Sequence, residues 1–155
     1  MLPSRFPAAE SMSPDDHPVL FRRAGDFIDR RGARQFADLL RKDLTAGKPF
    51  TCLITDDAEL QRLNRGFLDR DYPTDVLSFP SGTATALGEI AISTGRAAHQ
   101  ARQFGHSIDD EIRVLMLHGV LHLLGMDHES DDGAMARLEK RWRKKLGLQR
   151  GLIER

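Results

Sequence analysis

The sequence predicts a mixed domain of helices and strands, and three observations lead there. Short apolar runs bounded by Pro, Gly and Asp read as strands at Phe50–Thr55, 76–79 and Gly88–Ser93. Around them, apolar residues recur at helical spacing, most densely after Thr94. The chain has 155 residues and no internal repeat, which suits a single domain. A hydrophobic share of 40% is enough to bury a real core, and 30% charged residues fit a soluble surface.

Each element has its own warrant. Residues 1–17 carry Pro3, Pro7, Pro14 and several serines, and read as a disordered or loosely held tail ahead of one domain over 18–155. From 18 to 46 the pattern reads as helical. Val19, Leu20, Phe21, Phe27 and Ile28 make one apolar set, and Phe36, Leu39, Leu40 and Leu44 make another. Gly32 reads as the break between two helices, and Gly47 with Pro49 as the stop of the second. Asp56 and Asp57 cap a short helix carrying Leu60 and Leu63, and 72–75 reads as a turn. Pro80 ends the second strand, and 81–86 is a small-residue loop. Thr94–Phe104 is a helix ended by Gly105. Ser107, with Asp110 three residues on, opens the next helix with a variant capping box, and Asp109, Asp110 and Glu111 suit the positive end of its dipole. From 114 to 124 that helix is apolar on nearly every side, so it is central and buried. Ser130 caps a final helix with Met135, Leu138, Trp142 and Leu146 facing the core. Its Lys140, Arg141, Arg143, Lys144 and Lys145 read as a solvated face favoured by the dipole, or else as a phosphate-backbone patch.

Composition narrows the function classes. The formal net charge is zero, so any RNA binding must come from a local patch. Cys52 is the sole cysteine, which excludes an intramolecular disulfide, and it reads as a small buried core residue. No apolar run has membrane-spanning length and no signal-peptide core opens the chain, so a reducing, cytoplasmic setting is expected.

The central helix carries the chemistry. Positions 118–128 read H-G-V-L-H-L-L-G-M-D-H. Residues four apart share a helix face, so His118 and His122 can aim at one spot. Gly125 can end the helix and turn the chain, returning His128 to that spot. Three imidazoles and an open position describe a catalytic zinc site binding one ion. The spacing equals that of the metzincin proteases, H-E-x-x-H-x-x-G-x-x-H, but Gly119 stands where their general base stands, which demotes proteolysis. Gly119 implies close approach of another backbone or a substrate, or tight helix-to-strand packing. Two carboxylates are candidates for proton transfer. Asp127 could orient a histidine or cap the turn after Gly125, and Glu89 could act at the site or face solvent from its strand.

Three runs together resemble one family. Besides the metal run, 63–80 reads L-N-R-G-F-L-D-R-D-Y-P-T-D-V-L-S-F-P and 87–93 reads L-G-E-I-A-I-S. These are similar to H-G-x-L-H-L-x-G-Y-D-H, L-N-x-x-Y-R-x-x-D-x-P-T-D-V-L-S-F-P and L-G-D-I-x-I-S of the YbeY endoribonucleases, the ribosomal RNA maturation factors. The resemblance covers 50–147. It implies a single-domain α+β fold, with a small mixed sheet packed with helices and a central metal-binding helix. It implies zinc on His118, His122 and His128, and cleavage of single-stranded RNA. It also implies maturation of the small-subunit ribosomal RNA 3′ end, ribosome quality control, and partners among ribosomal RNA, the ribosome and its proteins.

Three departures from the pattern matter. The family's functional arginine is Leu68 here, which cannot donate to phosphate. Arg65 and Arg70 are the candidates to replace it. Glu89 stands for Asp, and Met126 for Tyr. The metal motif is intact while the substrate-clamping motif is altered. That leaves a second reading, a zinc-stabilised ribosome-assembly factor that binds without cutting, and a third and weaker one, a metalloprotease.

Overall fold

The computed structural model describes residues 17–69, 74–127 and 132–148. Four strands, β1 (Val19–Phe21), β2 (Phe50–Thr55), β3 (Val76–Pro80) and β4 (Gly88–Ser93), form one sheet in the order β1-β2-β4-β3. The β1–β2 and β2–β4 pairs are parallel, and β3 runs antiparallel to β4. Five helices pack on it: α1 (Arg30–Asp43), α2 (Asp57–Leu68), α3 (Thr94–Phe104), α4 (Ile108–Leu123) and α5 (Ala134–Lys145). The expected α+β class and mixed sheet are both present.

Side chains alternate across the pleat and divide the core in two. Val19, Cys52, Ile54, Ile90 and Ile92 meet Phe36 and Leu40 of α1, Leu115 and Leu121 of α4, and Trp142 of α5. Leu53, Leu77, Phe79 and Ala91 meet Leu60 and Leu63 of α2 on the other face. Each fully buried Leu or Ile contributes roughly 1.5–3 kcal/mol of transfer free energy. Helix α4 lies deepest, with its apolar residues from Ile112 to Leu123 all buried, as its all-round apolar sequence requires. Cys52 is fully buried, and burial pushes its thiol up to about 12, so it behaves as a small hydrophobe. Among the described residues no helix is long and apolar enough to cross a membrane.

Several elements differ from the sequence reading. The stretch expected as two helices split at Gly32 is a strand followed by one helix. Val19, Leu20 and Phe21 pair with Cys52, Leu53 and Ile54. Helix α1 runs through Gly32, whose amide donates to the capping carboxylate of Asp29 at 2.9 Å. A Cβ at Gly32 would come within 2.4 Å of that carboxylate, so this glycine admits a cap rather than breaking a helix. The second helix is longer than expected and reaches Leu68. His17, expected in the tail, braces the start of β1: its ring accepts from the Val19 amide at 3.0 Å and lies 2.7 Å from Asp38. The final helix begins at Ala134 with left-handed Gly133 as its N-cap residue. Ser130 and residues 1–16 lie outside the described residues, as does the first half of the expected 72–75 turn.

Candidate metal centre

Helix α4 opens and closes on identifiable chemistry. The Ser107 hydroxyl accepts from the Asp110 amide at 3.1 Å, and three acids occupy the first turn. At the other end Gly125 is left-handed, with φ +89°. Its amide donates to the His122 carbonyl at 2.9 Å, and the Met126 amide donates to the Leu121 carbonyl at 3.2 Å. This is the glycine stop expected from the sequence. It has a second effect, because it carries the Met126 carbonyl back to His122.

His118 and His122 share one face of α4, with ring centroids 4.7 Å apart and planes at 74°. Their Nε2 atoms lie 3.1 Å from one another. The opposite nitrogens are held by other groups. Nδ1 of His122 lies 3.0 Å from the Met126 carbonyl oxygen, and Nδ1 of His118 lies 2.8 Å from Oε2 of Glu139 on α5. A carbonyl or carboxylate oxygen only accepts, so both Nδ1 atoms carry the proton. In the neutral rings both Nε2 atoms then present lone pairs to each other. That arrangement is repulsive alone and favourable around a cation.

The donor set therefore fits a metal ion. Imidazole nitrogens suit zinc and its neighbours. A tetrahedral zinc with bonds of about 2.0–2.1 Å sets its ligand atoms about 3.3 Å apart, close to the spacing of this pair. His118 is buried and His122 is half-buried, so the pair opens outward on the His122 side. His128 lies outside the described residues. Among those described, no group of three or more His, Cys, Asp or Glu assembles a metal site.

The candidate catalytic side chains are dispersed. Asp127 is exposed and directly follows Met126. Glu89 pairs with Thr51 and Phe79 across β4 and shares their α2-facing side of the sheet, opposite α4. Arg65 is exposed on α2, on that same side. Arg70 lies outside the described residues. Leu68 ends α2 partly exposed, beside Phe67, whose ring meets Phe79 edge-on at 5.9 Å. Gly119 faces the sheet: a Cβ there would stand 3.0 Å from Ile90 Cγ2 and 3.3 Å from Ser78 Oγ, and Ser78 donates to the Gly119 carbonyl at 3.1 Å. Of the two readings of this glycine, tight helix-to-strand packing is the one observed.

Two participants escaped the sequence reading, Glu139 and the Met126 carbonyl. Glu139 had a signal. It is the sole acid on α5 and falls at helical spacing with Met135 and Trp142, on the face expected to be apolar.

Comparison with known proteins extends this picture. The family model described as Endoribonuclease YbeY matches residues 29–147. A protein of Solibacter usitatus named Endoribonuclease YbeY is 62% identical over 143 residues, spanning 92% of this chain and 97% of the relative. A Nautilia profundicola protein of the same name is 49% identical over 115 residues, spanning 73% of this chain and 83% of the relative. The solution structure of TM1509 from Thermotoga maritima is similar with a TM-score of 0.58 at 26% identity, covering 80% of this chain and 85% of that one. The match over most of the chain, the α+β fold and the histidine helix agree, and the chain belongs to the YbeY endoribonuclease family.

Proposed function

We propose that this protein is a zinc-dependent, cytoplasmic endoribonuclease that cuts single-stranded RNA, acts in maturation of the small-subunit ribosomal RNA 3′ end, and serves ribosome quality control. The observation that carries the reading is the convergence of the His118 and His122 Nε2 atoms with both Nδ1 positions held from behind. His118, His122 and His128 would hold one zinc ion. When bound, the ion supplies a Lewis acid that polarises phosphate oxygen and makes water a nucleophile near neutral pH.

The chain's own residues supply orientation and charge. Glu139 and the Met126 carbonyl fix the two ring orientations. Asp127 is assigned the proton, because it adjoins the turn that holds His122, whereas β4 directs Glu89 toward α2. Arg70 is assigned to offset charge developing on phosphate in place of the arginine lost at Leu68, whereas Arg65, like Glu89, lies on the α2 side of the sheet. The phosphate backbone is assigned to Lys140, Arg141 and Lys144, which are exposed on α5 and face no carboxylate among the described residues. Partners are then single-stranded ribosomal RNA and, through it, the ribosome.

The test compares zinc-loaded protein with His122→Ala on single-stranded ribosomal RNA. Loss of a ligand is expected to lower cleavage by about a hundredfold or more. Equal cleavage by both would mean contaminating nuclease and would sink the reading. The non-cutting assembly factor rests on Leu68 alone. A Leu68→Arg variant that cleaves while the native chain does not would favour it, and equal rates would remove its support.

A further inference from the structure

We infer that Glu139 is a positioning residue for the His118 ligand, an inference that rests on the proposed zinc site. Glu139 is 1% exposed and its Oε2 lies 2.8 Å from Nδ1 of His118, itself 5% exposed. A carboxylate taken so far out of water is costly unless it is paired and hydrogen-bonded. The other charges on α5, six lysines and arginines, lie on partly or fully exposed residues, so the placement of this one acid inward is specific. Met135 and Trp142, on either side of Glu139 along α5, anchor the helix in the core.

The two histidines are held differently, and the difference has consequences. The Nδ1 of His122 is held by a neutral carbonyl from the turn that ends its own helix. His118 is held by an anion from another helix. Glu139 fixes the ring, enforces a lone pair on Nε2, and strengthens that nitrogen as a donor. It also offsets one of the two positive charges a divalent ion would bring into a largely buried site. A purely structural tie between α4 and α5 would need the hydrogen bond but not the charge.

The experiment measures zinc affinity by competition with a chromophoric chelator, and the melting temperature of the metal-free protein in EDTA, for wild type and Glu139→Gln. Glutamine keeps the shape and an acceptor but removes the charge, and its amide can turn to favour the wrong His118 tautomer. The expected result is zinc binding weakened about tenfold, within the 10–100-fold range for such outer partners, with the metal-free melting temperature held or raised. Wild-type zinc affinity in the variant, with or without a lowered melting temperature, would overturn the inference and leave Glu139 a structural tie. Should Glu139→Gln fail to fold, Glu139→Asp serves, because it keeps the charge and withdraws the oxygen by one methylene. Weakened zinc binding is again expected, and unchanged binding overturns. A wild-type chain that takes up no zinc overturns the zinc site itself, a failure distinct from that of Glu139.

Discussion

Gly119 separates this protein from the zinc proteases that share its histidine spacing. The backbone of α4 lies against Ile90 and Ser78, and any side chain at 119 would enter that contact. A glutamate cannot serve as a base from a position packed on the sheet. Replacing Gly119 by Ala gains about 1 kcal/mol of helix propensity and loses roughly 1–3 kcal/mol to overpacking against a fully buried isoleucine. The net expectation is a loss of about 1 kcal/mol in denaturant unfolding; a gain of similar size would mean the helix sits off the sheet. The same scale shows what single residues disclose in advance. The histidines were legible because their chemistry and spacing are rare together. Glu139 was not, because a lone acid on an amphipathic helix reads as surface until its partner 21 positions away is known.

Elements were legible where their ends carry explicit chemistry. Ser107 and Gly105 mark helix boundaries with a hydroxyl acceptor and a left-handed glycine, and the structure places them there. The strands Phe50–Thr55 and Gly88–Ser93 are apolar runs long enough to need no partner to be recognised. Strand β1 is different. Three residues cannot show a period, and their conformation is set by pairing with β2, some thirty positions on. Helix α5 has the same lesson for function. Its cations look like a solvated C-terminal face, yet its single acid turns inward and the outer face is left uniformly positive. If that face holds phosphates, the triple variant Lys140→Gln, Arg141→Gln, Lys144→Gln lowers the salt slope of single-stranded RNA binding by about 2, at roughly 0.7 per cation, with zinc affinity unchanged. An unchanged slope would return these residues to a solvated role.

At the scale of the whole molecule, the sheet separates two regions. The α1, α4 and α5 side holds the histidine pair and the carboxylate behind it. The α2 side holds Glu89, Arg65 and the partly exposed end at Phe67 and Leu68. This arrangement follows from strand order, which local sequence does not encode, and it explains why Glu89 and Arg65 lie on the opposite side of the sheet from the histidine pair. With zero net charge, attraction of RNA requires a local patch such as the basic side of α5 rather than a global field. All of these proposed roles depend on a metal ion binding at the histidine pair of α4. Zinc K-edge X-ray absorption of the loaded protein tests that most directly. The expected result is one zinc per chain with three imidazole nitrogens at about 2.0–2.1 Å and a fourth light-atom ligand. A sulfur scatterer, or fewer than two imidazoles on the bound metal, would contradict it.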